Sequence, residues 1–157
     1  MEAGQCELVA RELGYPYFML AKVVRGLERG RKLGFPTANL DVPKVKLMPL
    51  DGVYAVAVLV DGVWKAGALS IGKNPTFDDV SDVRTEVFVL DYDGDLYNDN
   101  LLVFFLSHLR PQARFQDTVQ LALRIRTDVE RSRKIFNETL DKYAPFQAMR
   151  NFSSVFP

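Results

Sequence analysis

The chain has one cysteine, Cys6, one histidine, His108, and one tryptophan, Trp64. A lone cysteine excludes an intrachain disulfide, and with a lone histidine it excludes a Cys/His metal cluster, so any bound metal would have to use oxygen ligands. An excess of either charge is also missing: 20 Lys and Arg balance 20 Asp and Glu. That removes a general pull toward nucleic acid or an anionic membrane, while local patches can still act. No apolar run approaches the roughly 20 residues of a membrane span, and the opening MEAGQCELVAREL has no signal-peptide core. A reducing, cytoplasmic setting without nucleic-acid or membrane partners is the expectation. Repeats and low-complexity tracts are absent as well. What is present is a globular composition, 157 residues with 48% hydrophobic and 25% charged, which suits one domain with a substantial core.

Most of the chain reads as strand. Leu20 to Arg25 is a first candidate, followed by a glycine-rich basic segment. Gly52 to Val60 (GVYAVAVLV) and Val63 to Ser70 (VWKAGALS) flank Asp61-Gly62, a pair that tolerates the positive φ values of a type I′ hairpin turn. Thr85 to Tyr92, Asp95 to Tyr97 and Leu101 to Leu106 complete the strand candidates. Glu7 to Leu13 spells one or two helical turns with Leu8 and Glu12 on one side, ended by Gly14 and Pro16. A longer helix follows Asp117, whose side chain can cap it. Leu121, Ala122, Ile125, Val129 and Phe136 recur at helical spacing to about Phe136, with Arg124, Asp128, Glu130, Arg131 and Arg133 as its wet side. Short strands, hairpins and one late helix argue for a closed antiparallel barrel or sandwich. The tail with Pro145, Met149 and Phe152 is expected along the surface of the body.

Three places carry polar chemistry. In ERGRKLGFPTANL, Arg29, Arg31 and Lys32 stand among Gly26, Gly30 and Gly34, spaced four apart. Glycine lets backbone N–H groups approach an anion and the cations add charge, although the spacing matches neither the P-loop nor the dinucleotide fingerprint. An exposed loop and a phosphate site both remain open here. Thr37 and Asn39 supply neutral oxygens that suit Mg²⁺ where substrate phosphates bring the charge. In an extended segment the two share a side; a self-bonded turn is the competing reading. Glu86, inside TEVFVL, alternates with Phe88 and Leu90, so it is either a half-buried acid with a task or a solvent-facing one. Asn74 and Thr76 in IGKNPTF could shape a pocket or form a plain turn. Tyr97 and Trp64 could stack on rings or fill the core. Arg110 could touch a ligand or pair with an acid, and His108 titrates in a range suited to proton transfer but lacks a companion.

Together, RGRKLGFPTANL, GVYAVAV, ALSIGKNPTF, TEVFVLDYDGDLY and LSHLRPQARF resemble the riboflavin kinase family, in particular the kinase module of bacterial bifunctional riboflavin kinase/FAD synthetases. The likeness spans about Leu13 to Arg133. It implies a mainly β fold, a six-stranded antiparallel Greek-key barrel with a C-terminal helix. Residues 1–16 would be a linker or short helix and 17–157 the barrel domain with its helix and tail. The implied activity is Mg²⁺-dependent transfer of the ATP γ-phosphate to the riboflavin 5′-hydroxyl, giving FMN and ADP. By resemblance Gly30, Arg31 and Lys32 cover the nucleotide phosphates, Thr37 and Asn39 hold Mg²⁺, and Glu86 is the base. Asn74 and Tyr97 would lie near the ligands, and Arg110 toward the flavin. Glu28 and Asn98 stand where the family carries glycine, and Asn98 still tolerates left-handed geometry. A monomer is expected, related to or excised from a bifunctional enzyme without its nucleotidyltransferase domain. A non-catalytic flavin-binding barrel is the alternative, and a small nucleic-acid-binding barrel a third reading that zero net charge disfavours.

Overall fold

The computed structural model describes residues 5–26, 29–73, 83–143 and 146. Asn74, Thr76, Glu28 and the tail residues Pro145, Met149 and Phe152 therefore lie outside the described residues, as does the side chain of Arg29.

Alternation in the β-branched runs produces strands buried on one or both faces. These are β1 (Phe18–Val24), β2 (Ala38–Asp41), β3 (Gly52–Val60), β4 (Val63–Gly72), β5 (Arg84–Val89) and β6 (Asn100–Arg110). They close into one antiparallel barrel in the order β1-β2-β5-β4-β3-β6. β3, β4 and β5 pair in sequence and β6 returns beside β3, which is the Greek-key pattern. The β3–β4 hairpin turns through Asp61 (φ 50°) and Gly62 (φ 74°), both left-handed as a type I′ turn requires.

Helices among the described residues join the barrel as α1 (Gln5–Leu13), α2 (Arg29–Lys32) and α3 (Thr118–Thr139). The barrel interior holds Met19, Ala21, Val23, Tyr54, Val56, Val58, Leu69, Val87, Val89, Val103 and Phe105 among its residues. Full burial of each such aliphatic side chain favours folding by about 1.5–3 kcal/mol. A second layer lies on the outer face, where Val53, Ala55, Ala57, Leu90, Phe104 and Leu106 pack with Phe136 of α3 and with Phe146. The alanines of β3 leave room for the helix to approach the sheet.

Several boundaries differ from the sequence expectation. β6 continues past Leu106 to Arg110, because its apolar residues are shared between interior and outer layer and β3 is long enough to pair with it. β5 stops at Val89, and Asp91 at φ 55° turns the chain away. Asp95 to Tyr97 is loop, with the Tyr97 N–H donating to Asp95 Oδ1 at 2.8 Å in place of a strand partner. On α1 the buried residues are Cys6 and Ala10, with Leu8 exposed. The α3 cap is as expected: Asp117 Oδ1 accepts from the Gln120 N–H at 2.8 Å.

Candidate functional site

The basic glycine segment forms a single helical turn, α2, where a loop was expected. Gly34 ends it at φ +82°. Its N–H donates to Arg31 O at 3.2 Å, and the Phe35 N–H donates to Gly30 O at 2.9 Å. This paired return is a Schellman ending, which needs a residue tolerant of left-handed φ at its hinge. Gly30 also has no room for a side chain. A Cβ there would lie 2.3 Å from Phe35 O and 3.2 Å from Thr37 Oγ1. The turn is thus folded tightly onto the PTAN segment, and Arg31 and Lys32 are both exposed.

From Thr37 the chain enters β2, which pairs with β5 so that Asn39 stands opposite Glu86. Directly opposed residues project to the same face. Val87 and Val89 occupy the interior, so Glu86 and Phe88 take the outer side of β5, where Phe35 meets Phe88 edge-on at 5.5 Å. The Thr37 hydroxyl donates to Glu86 Oε2 across a long 3.4 Å. Asn39 is seated against Gly26, where a Cβ would fall 1.8 Å from its Nδ2. A hydroxyl, an amide and a half-buried carboxylate therefore converge at the junction of β1, β2 and β5.

The junction borders a cleft of about 810 Å³ at the barrel mouth, lined among others by Arg25, Arg31, Thr37, Asn39, Phe88 and Tyr97. Its far wall is the 92–99 loop, stitched to β1 by the Val23 N–H to Asp99 O bond (2.8 Å) and the Asn98 N–H to Val23 O bond (3.0 Å). Asn98 sits at φ 72°, the left-handed geometry expected of it. The Arg25 guanidinium lies 4.8 Å from the Tyr97 ring centre, a cation–π contact at the cleft edge. The oxygen donors suit a hard cation. Among the described residues no group of three or more His, Cys, Asp or Glu could hold a metal, so the balancing charge would have to come from a substrate's phosphates.

The cleft brings together Arg31, Thr37, Asn39 and Tyr97, with Gly30 behind Thr37; Glu86 is not part of its lining and joins it through the Thr37 hydroxyl. Arg110 lies elsewhere. Its Nε and Nη2 reach Asp128 Oδ2 at 2.9 and 2.8 Å, and its guanidinium lies 5.6 Å from the Phe115 ring centre. Asp128 is 2% exposed, which corrects its assignment to the wet side of α3. Leu121, Ile125, Asp128, Ser132 and Phe136 follow one helical face, a spacing that places both polar residues against the barrel. His108 meets Tyr54 at 5.0 Å, and burial, then the Arg131 charge, push its imidazole below the ordinary value. Trp64 packs on Phe104 and Phe146 in the outer layer. Sequence reasoning missed Gly26 as the seat of Asn39 and the bridge from Gln112 to Ser70 (2.7 Å), since both depend on strand register.

A closed Greek-key barrel with polar oxygens gathered at its mouth is the scaffold of a small-ligand-binding domain. A family model described as "Flavokinase: Riboflavin kinase" matches residues 13–136, and the chain belongs to the riboflavin kinase family. It is similar to the bifunctional riboflavin kinase/FMN adenylyltransferase of Listeria monocytogenes, 36% identical over 138 residues, covering 88% of this chain and 44% of the relative. Among solved structures it resembles a protein of Streptococcus pneumoniae described as a macrolide-efflux protein, with TM-score 0.75 and 35% identity, over 83% of this chain and 43% of that one. It also resembles riboflavin kinase from Trypanosoma brucei, with TM-score 0.55 and 25% identity, over 87% of this chain and 84% of that one. The chain spans less than half the length of the curated relative from Listeria. Among the described residues no helix is long and apolar enough to cross a membrane.

Proposed function

We propose that the chain is a riboflavin kinase, moving the γ-phosphoryl group of ATP onto the 5′-hydroxyl of riboflavin to give FMN and ADP. The observation that carries this reading is the register of β2 on β5. It sets Asn39 opposite Glu86 and Thr37 within 3.4 Å of the same carboxylate, at the edge of a cleft large enough for a nucleotide.

Phosphoryl transfer asks a protein mainly for alignment and for neutralisation of charge on the phosphoryl oxygens. Arg31 and Lys32 of the α2 turn, with the backbone N–H groups around Gly30, take the polyphosphate. Tyr97 and Arg25 flank the nucleotide at the cleft edge. Mg²⁺ held by Thr37 and Asn39 would supply further neutralisation of the phosphate oxygens. Glu86 accepts the proton of the ribityl hydroxyl as its oxygen bonds to phosphorus and the bond from phosphorus to the ADP oxygen breaks. Asn74 and Arg110 belong to the flavin side of this reading. In this reading one copy of the chain acts alone.

Purified protein incubated with riboflavin, ATP and Mg²⁺ should form FMN and ADP in equal amounts, read by chromatography. Folded protein that binds riboflavin and forms no FMN under excess ATP and Mg²⁺ would overturn the proposal in favour of a non-catalytic flavin-binding module.

A further inference from the structure

The ladder that holds Glu86 continues beyond it. Asn39 pairs with Glu86, Glu86 with Ser70, Ser70 with Val53, and Val53 with Arg110. Directly opposed residues face the same way with Cβ atoms about 5 Å apart. Glu86 therefore has two flanks, one occupied by Asn39 and Thr37, the other by Ser70. In-line transfer puts the attacking and leaving oxygens on opposite sides of phosphorus. With the triphosphate on the Thr37/Asn39 flank, the acceptor alcohol has to arrive from the flank of Ser70.

That flank is already organised. Gln112, two residues beyond β6, donates from Nε2 to Ser70 Oγ at 2.7 Å and to Ile71 O at 3.0 Å. A backbone carbonyl can only accept, so the second bond fixes which end of the amide is nitrogen. Both amide hydrogens are then used inside the protein, and the group left for a ligand is the carbonyl oxygen, an acceptor. The Ser70 oxygen accepts from Gln112, which leaves its own proton to donate. Side by side, one acceptor and one donor suit an alcohol, which both gives and takes a hydrogen bond. The backbone makes space for this arrangement at Gly72 (φ +136°), where a Cβ would sit 3.1 Å from Gln112 Cγ. Behind it, Arg110 and Arg131 anchor the end of β6 through Asp128 and through Leu109 O (3.0 Å).

We propose that Ser70 and Gln112 form the acceptor-side subsite, hydrogen-bonding the hydroxyl-bearing side chain of the flavin next to Glu86. The inference rests on the riboflavin kinase reading for its substrate, but its test does not require turnover. Riboflavin is titrated by its fluorescence against wild type, Ser70→Ala and Gln112→Ala without nucleotide, and lumiflavin, which lacks the ribityl chain, is titrated in parallel. Each variant should weaken riboflavin binding about 3- to 10-fold, the worth of one hydrogen bond, and leave lumiflavin binding unchanged. Ser70→Thr, which keeps the hydroxyl, should restore affinity, and steady-state KM should rise for riboflavin but not for ATP. Unchanged riboflavin affinity in both variants, an equal loss for lumiflavin, or a rise confined to KM for ATP would overturn the subsite. Selective weakening of riboflavin binding by the two variants, beside a wild type that makes no FMN, would instead keep the subsite and remove the kinase reading.

Discussion

Gly26 shows how single residues set the site. Adding a methyl there places carbon 1.8 Å from Asn39 Nδ2 and 2.2 Å from its Cγ, so Gly26→Ala has to expel the amide from its seat. The expected result is a folded barrel whose FMN formation falls and whose Mg²⁺ requirement rises, checked by a metal titration of the rate beside a thermal melt. Glu86→Gln keeps the shape of the side chain and removes its basicity. It should lower kcat about 10²- to 10⁴-fold, the usual worth of a general base, and a wild-type rate in that variant would take Glu86 out of the mechanism. Residue type and two-residue alternation were enough to mark Thr37, Asn39 and Glu86 as polar candidates, each beside an ordinary structural reading, and only the family resemblance gave them roles. Gly26 and Ser70 were not marked in this way, since their roles depend on which strand lies beside which. Cys6 differs again. It is buried between α1 and the barrel core, and burial above all raises its thiol to about 11. Native protein should resist iodoacetamide near pH 8 and react after unfolding, as thiolate character controls reactivity; rapid native alkylation would place Cys6 at an open surface.

At the scale of elements, α3 carries the buried polar side chains Asp128 and Ser132. Its apolar spacing and its Asp117 cap could be read directly, and Asp117→Ala should cost about 1 kcal/mol in chemical denaturation. The polar half of its inner face could not be read as such, because a charged residue at a core spacing looks like surface until its partner is known. Arg110 supplies that partner from β6. Asp128→Ala leaves the guanidinium enclosed without its acid and should destabilise the fold by about 3–5 kcal/mol. A denaturation midpoint equal to wild type would mean that the pair is not enclosed in solution. The α2 turn went unrecognised for a different reason. Four residues give too short a periodicity to register, and the turn holds because its Schellman return and the tight approach of Gly30 to Phe35 compensate for its length.

For the whole molecule, the closed barrel would let a small chain hold the two substrates of the proposed reaction. Closure removes sheet edges and leaves Glu86 with a flank on either side, while α1 and α3 cover other parts of the surface. The β3–β4 hairpin was visible in sequence from Asp61-Gly62, whereas β2 (Ala38–Asp41) was not singled out as a strand, Asp95 to Tyr97 was expected as one and is loop, and the count of six came from the family resemblance. The mouth was not visible, because it is assembled from the end of β1, the 92–99 loop and β5, which are distant in the chain. The buried titrating groups give the fold a pH signature. With its folded value raised to about 11 from 9.0, Cys6 stays protonated in the native state while the unfolded chain has released the proton. Its contribution is complete below pH 9 and lost as pH rises toward 11, so stability should fall across that window and fall less steeply in Cys6→Ala. His108, lowered from 6.5 mainly by burial, acts at the other end. The unfolded chain binds more protons just below 6.5, so stability is full above that value and declines as pH falls, and His108→Gln should flatten the decline. The most direct measurement is a crystal structure of the protein with ADP, Mg²⁺ and FMN. The account predicts the metal on Thr37 and Asn39, the FMN phosphate ester oxygen within hydrogen-bond reach of Glu86, and the ribityl chain leading away past Ser70 and Gln112. A metal remote from Thr37 and Asn39, or a flavin whose phosphate lies away from Glu86, would contradict it.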